Sequence, residues 1–114
     1  MSRSSRSVSS VRDAAPVFAA LGDATRLSLV TRLCVDGPLS IARLSEGTDV
    51  TRQAVTKHLN ALADAGLARN RRSGRELIWE LKPRRLDMAR RYLDRISDQW
   101  DAALGRLAAF VEEP

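Results

Sequence analysis

The run SIARLSEGTDVTRQAVTKHLNALADAGL, from Ser40 to Leu67, decides how the chain folds. Ser40 stands where an N-cap is needed, and Ile41 and Leu44 give the following residues one apolar face until Gly47 ends the helix. Thr48-Asp49-Val50 has the composition of a tight turn. A second helix starts directly after it, because Thr51 can accept a hydrogen bond from an otherwise unpaired N–H of the first turn. Val50 and Val55 flank that cap at the spacing of a hydrophobic staple, which fixes the angle at which the chain enters the helix. Val55, Leu59 and Leu62 form the buried stripe, and Gly66 ends the helix before Leu67. What burial leaves over is polar: Arg52, Gln53, Thr56, Lys57 and Asn60.

Upstream, the segment from Asp13 to Leu21 carries Val17, Phe18 and Leu21 at helical spacing, with Pro16 tolerable in a first turn and Gly22 as a stop. Asp23 can cap the next helix, for which Leu27, Val30, Leu33 and Cys34 are the expected buried face, ended by Asp36-Gly37-Pro38. Downstream, Leu67 to Arg72 and Arg75 to Leu81 read as a β-hairpin joined through Ser73-Gly74, with Leu77, Trp79 and Leu81 alternating against Glu76, Ile78 and Glu80. After Pro83 a long helix is expected over residues 84–111. Its Leu86, Ala89, Leu93, Ile96, Trp100, Leu104, Leu107 and Val111 recur in steps of three and four, the pattern of a seam facing another helix.

The 114 residues suffice for one domain, placed at residues 13–111, behind a Ser/Arg-rich stretch over residues 1–12 expected to be a disordered tail. No apolar run approaches the roughly 20 residues that cross a bilayer, and no apolar core follows the first arginines as a secretory signal would require. A cytoplasmic protein without a membrane partner is the expectation. Cys34 is the only cysteine, which excludes an intrachain disulfide. The net charge is +5, and residues 69–85 alone hold seven basic against two acidic side chains. Such concentration of charge suits a polyanion, although a solvated basic loop is the plain alternative.

Two helices joined by a short turn, followed by a two-stranded ribbon with an arginine-rich tip, make a winged helix-turn-helix. The expected fold is therefore mainly α with a small β-hairpin, in the order of four helices, two strands and a last helix. The helix-turn-helix lies at residues 40–66, the wing at 67–81 and the dimerisation helix at 84–111. In such a frame Arg52 and Gln53 can read guanine and adenine edges of double-stranded DNA, while Thr51, Thr56 and Lys57 suit phosphates or thymine methyls. Arg69, Arg71, Arg72 and Arg75 surround the wing tip, where they would lie beside or into the minor groove, or simply keep the surface soluble. His58 borders the buried stripe, so a packing or capping role competes with a DNA-facing one. Cys34 reads as a small buried hydrophobe, with a redox-sensing thiol as its alternative.

The run AALGDATRLSLVTRLCVDGPLSIARLSEGTDVTRQAVTKHLNALADAGLARNRRSGRELIWEL resembles the ArsR/SmtB family of winged helix repressors. ALGDATRLSLV is similar to the start of that family's second helix, and TRQAVTKHLNALADAGL to its recognition helix. The resemblance implies a homodimer joined by the first and last helices, here through Val17, Phe18, Leu86, Leu93, Ile96, Trp100, Leu104 and Leu107. It also implies binding to an imperfect palindrome, often that of the protein's own operon, with Thr51, Arg52, Gln53, Thr56, Lys57 and His58 facing DNA. The chain departs from the family's metal sensors: SIARLSEG holds no cysteine pair and the last helix no histidine. No metal site, no cofactor and no catalytic residue is expected, the effector being unknown. One histidine and one cysteine on different helices offer no cluster for an enzyme. A winged helix used only for protein contacts would leave the arginines of helix and wing without a task, and a Cys34-dependent redox repressor remains a variant of the DNA-binding reading.

Overall fold

The structure, a computed structural model, describes the backbone of residues 2–112 and the side chains of residues 11–112. Among these residues the elements are α1 (Ser2–Leu21), α2 (Ala24–Asp36), β1 (Leu39–Ser40), α3 (Ile41–Glu46), α4 (Arg52–Asp64), β2 (Ala68–Ser73), β3 (Glu76–Leu81) and α5 (Pro83–Glu112). The expected caps form where short polar side chains stand. The Asp23 carboxylate accepts from Arg26 N–H at 3.0 Å, Ser40 Oγ from Arg43 N–H at 3.2 Å and Thr51 Oγ1 from Ala54 N–H at 3.1 Å. At the end of α4, Gly66 N–H donates to Ala63 C=O and Leu67 N–H to Leu62 C=O, both at 2.9 Å. That pair of bonds is a Schellman closure, which requires the left-handed backbone of Gly66, at φ +79°.

Three expectations change. The first helix begins at Ser2 rather than near Asp13, for residues 1–12 contain neither glycine nor proline to stop a helix propagating back from the packed segment. The side chains of residues 1–10 of the expected tail lie outside the described residues. Pro16 is consequently interior, and Arg12 C=O loses its usual donor four residues on.

The second change is the rotation of α2. Its buried face is Leu29, Val30 and Leu33, while Leu27 is half exposed and Cys34 is exposed. Apolar residues line two sides of this helix, and two arginines decide between them. Arg26 Nε donates to Ala20 C=O at 2.6 Å and Arg32 Nη1 to Leu44 C=O at 3.0 Å, which turns the face carrying Leu29 and Leu33 inward. Arg32 also explains Gly47, because a Cβ there would lie 2.8 Å from Nη1.

The third is an additional strand. β1 pairs antiparallel with β3, Leu39 opposite Trp79 and Ser40 opposite Ile78, so the sheet has three strands in the order β1-β3-β2. Ser40 is thus both the last residue of β1 and the cap of α3, which fastens the helix-turn-helix to the root of the wing. β2 and β3 are joined through Gly74 and Arg75, since Ser73 faces Glu76 across the ladder. Gly74, at φ +63°, supplies the positive φ that a two-residue loop of this kind needs at its first position.

The core lies between the helices and the inner face of the sheet. Val17 and Ala20 of α1, the α2 face, Leu44, the Val55/Leu59/Leu62 stripe, Leu67, Ala68, Trp79 and Ala89 of α5 form one buried cluster. Val17 has no exposed surface, so it faces its own protomer and not a second chain as expected. Phe18, one residue on, is half buried and stands with its ring 6.3 Å from Tyr92 of α5.

Candidate nucleic-acid interface

The staple and the cap aim α4, and the stripe of Val55, Leu59 and Leu62 presses it onto the core with no exposed surface on any of the three. The opposite side is therefore free. Thr51, Arg52, Gln53, Lys57 and Asn60 are exposed, and Thr56 is partly so, its hydroxyl donating back to Arg52 C=O at 3.0 Å. Arg52 and Gln53 stand, exposed, at the first two helical positions.

His58 does not share that face. Its Nδ1 lies 3.4 Å from Arg26 Nη1 and 3.8 Å from the Asp23 carboxylate, and its side chain is mostly covered. A guanidinium only donates, so the histidine nitrogen accepts. The backbone N–H of Arg26 is the main reason that the Asp23 carboxyl is held below its ordinary pKa, ahead of the nearby His58 ring and the Arg26 charge. His58 thus belongs to a junction between α2 and α4, which is its packing reading.

The wing divides its arginines. Arg69 and Arg71 alternate onto one face of β2, and Arg69 stands directly opposite Glu80. Glu80 accepts from Arg69 Nε at 2.7 Å and from Arg71 Nε at 3.3 Å. Those two bonds, Arg69 first, hold the Glu80 carboxyl below its ordinary range. Arg72 and Arg75, by contrast, make no ion pair among the described residues. Arg75 sits in the turn and lines a shallow cleft with Arg52, Ser40 and Leu77, so the wing tip and the start of α4 face one side of the molecule.

Sequence reasoning missed Glu80 as the group that orders half of the wing. The signal was present: a two-residue loop at Gly74 and Arg75 forces residue 80 opposite residue 69. It also missed Arg26, whose partners lie on α1, at the N-cap of α2 and on α4. Cys34 is exposed at the last turn of α2, so the buried reading fails. Leu93, Ile96, Trp100, Leu104 and Leu107 are all substantially exposed along α5, while Leu86 is partly covered by the protomer itself. Among the described residues no helix is long and apolar enough to cross a membrane, and no three His, Cys, Asp or Glu side chains gather at a metal-binding distance.

Comparison with known proteins agrees with this geometry. A family model described as a helix-turn-helix domain matches residues 21–71. The HTH-type transcriptional regulator Rv2034 of Mycobacterium tuberculosis is 34% identical over 105 residues, covering 92% of this chain and 94% of its own. The arsenical resistance operon repressor of Escherichia coli is 27% identical over 95 residues, covering 83% of this chain and 79% of its own. Among solved structures, an ArsR-like transcriptional regulator from Rhodococcus superposes with a TM-score of 0.77 at 36% identity, covering 91% of this chain and 97% of that one. The homodimeric winged helix-turn-helix DNA-binding domain of a Mycobacterium bovis protein shares the fold, with a TM-score of 0.64 at 23% identity and coverage of 82% and 86%. The chain belongs to the ArsR family of winged helix-turn-helix transcriptional regulators, proteins that bind DNA and are not enzymes.

Proposed function

We propose that the chain is a dimeric cytoplasmic repressor of a two-fold symmetric operator. Each protomer lays α4 into a major groove, where Arg52 and Gln53 read bases, while Thr51, Thr56 and Lys57 hold the flanking backbone. Arg72 and Arg75 reach the neighbouring backbone from the wing tip, and Arg69 and Arg71 act with Glu80 as a more nearly neutral shoulder. The observation that carries this reading is the cleft shared by Arg52 and Arg75, which brings the base-reading end of the helix and the free end of the wing to one surface. The two grooves of a two-fold site lie about 34–36 Å apart, which is the distance the dimer has to span.

Support for the dimer comes from the shape of the protomer. Its radius of gyration is 18.9 Å, against about 13 Å for a compact chain of this length. Among the described residues the apolar row on α5 from Leu93 to Leu107 keeps between 45% and 63% of its surface exposed. A metal switch of the kind found in arsenic-type sensors has no support in the donor set, because α3 lacks cysteine and α5 lacks both histidine and cysteine.

The test is fluorescence anisotropy on DNA from the protein's own upstream region. Arg52→Ala/Gln53→Ala should lose discrimination against random DNA, with each lost bidentate contact worth about 1–3 kcal/mol. Arg72→Ala/Arg75→Ala should weaken both kinds of DNA alike. Wild-type binding no tighter to the upstream region than to random DNA would overturn autoregulation, and unchanged discrimination in the first variant would overturn the base-reading assignment.

A further inference from the structure

The basic stretch that includes the wing continues beyond it, and the wing does not use all of it. Lys82, Arg84 and Arg85 follow β3, at the opposite end of the hairpin from Gly74 and Arg75. Together with Arg91, one to two turns further along α5, they line a recess of about 460 Å³ whose remaining walls are Gly66, Met88 and Asp13. Gly66 closes α4 at its far end from Arg52, so the recess is about 20 Å, the length of that helix, from the base-reading residues. Neither element that reaches DNA presents this end to it.

Four cations around one recess repel each other, and here little offsets that repulsion. None of Lys82, Arg84, Arg85 and Arg91 forms an ion pair among the described residues, while Asp13 is the single carboxylate in the lining. The Arg85 stem passes directly over the Gly66 backbone, its Cγ 3.0 Å and Nε 3.3 Å from where a Cβ would stand. A side chain at position 66 would push it out of the recess. The absence of one leaves the guanidinium free to lie along the wall.

We propose that this recess binds a small organic anion carrying at least two carboxylate or phosphate groups. The volume falls within the roughly 300–1,000 Å³ of ordinary ligand sites. Guanidinium groups suit both oxyanions, gripping them through paired N–H donors. Met88 and the arginine stems offer an apolar wall for a short carbon skeleton, and Asp13 can accept from a ligand hydroxyl. The occupant would touch α1 at Asp13, the α4–β2 turn at Gly66 and α5 at Arg91, beside the Tyr92 ring that packs against Phe18. Binding would therefore change how α1 and α5 sit on the DNA-reading body, and through them the operator affinity. That regulatory consequence rests on the function proposed above; the binding site does not.

The test uses citrate and pyrophosphate as probes on the full chain, with potassium chloride at matched ionic strength as the reference. Calorimetric titration should give saturable binding of at least one probe, weakened about ten-fold or more in Arg85→Gln/Arg91→Gln and unchanged in Arg72→Gln/Arg75→Gln. The preferred probe then distinguishes a polycarboxylate from a phosphorylated occupant. Amide shifts in a ¹⁵N-labelled sample should centre on Gly66 and residues 82–91. The single variant Lys82→Gln, at an exposed position, covers the case in which the double variant misfolds, and should weaken binding in the same direction. Binding equal to the chloride reference, binding retained in the recess variants, or amide shifts centred on the wing tip would overturn the site. Loss of operator binding in the recess variants without any response to either probe would also overturn it, by making the cluster a DNA-phosphate surface.

Discussion

Replacing Ile96 by glutamate puts a charge in the middle of the row that α5 leaves uncovered. Ile96 retains 45% of its surface in the protomer, so a second chain can bury about half of it. Complete burial of such a side chain is worth about 1.5–3 kcal/mol, which sets the gain near 1 kcal/mol per protomer. Ile96→Ala should therefore cost the dimer about 2 kcal/mol, or about 30-fold in the dissociation constant. Glutamate loses the same contact and adds the desolvation of an unpaired carboxylate, several kcal/mol at each of two copies. The dissociation constant should rise by about 10⁴-fold or more, which converts a dimer into a monomer across the micromolar range. Sedimentation equilibrium on both variants reads this directly. The protomer itself should be unharmed, since the position is half exposed, and the far-UV circular dichroism should match wild type. A dimer that persists in Ile96→Glu with unchanged affinity would refute the assignment of this face, and operator binding at wild-type strength by the monomeric variant would refute the dependence of function on it.

Other expectations follow from individual side chains. Arg72→Ala/Arg75→Ala removes four unpaired guanidinium groups from a dimer, so the slope of log binding constant against log salt should become shallower by about 3.6, at about 0.9 per phosphate contact. Glu80→Gln, which releases Arg69 and Arg71, should steepen that slope and tighten binding to random DNA; no change in a potassium chloride series would count against a wing on the backbone. Leu59→Ala empties a fully buried position and should lower stability by about 2–5 kcal/mol in urea, whereas a loss under about 1 kcal/mol would contradict its place in the core. The Asp23 carboxyl is held below its ordinary pKa by the Arg26 N–H, so its folded value is the lower of the two. Its contribution is present above the ordinary carboxylate pKa, about 3.9, and is lost as the pH falls through the folded value. The stability difference between wild type and Asp23→Ala should therefore shrink as the pH falls below about 4; a difference that keeps growing below that pH would show the opposite linkage.

What the sequence discloses and what it hides separate along the range of the interactions. The caps at Asp23, Ser40 and Thr51, the stripe of α4 and its closure at Gly66 are decided within a few residues, and each is visible in the one-dimensional pattern. The rotation of α2 is not, because Leu29 and Leu33 on one side compete with Leu27 and Cys34 on the other. The choice is made by Arg26 and Arg32 through carbonyls on α1 and α3. β1 is two residues long and has no periodicity to detect. Val17 and Phe18 are adjacent apolar residues on one helix, and only the packed structure gives the first to the core and the second to the contact with Tyr92. On the wing, composition identifies four arginines as one group. The ladder divides them, since strand alternation places Arg69 and Arg71 beside Glu80 and turns Arg72 to the other face, while Arg75 stands in the loop. Neither of the latter two has an ion-pair partner among the described residues.

In the dimer proposed above, a seam can govern a helix that it does not touch. The last carbonyls of α1 lack intrahelical donors, and Arg26 supplies one to Ala20 at 2.6 Å and a longer one to Ala19 at 3.5 Å. From the same guanidinium Nη1 reaches His58 on α4, and the backbone N–H of Arg26 bonds the Asp23 cap. One residue therefore joins the end of α1, the start of α2 and the middle of α4. In the proposed dimer, a displacement of α1 would therefore reach α4 through this guanidinium, and the separation of the two α4 helices would change with it. Lysine at position 26 would keep the charge but not the three-way fork, which is why the coupling depends on the guanidinium and not on its charge alone.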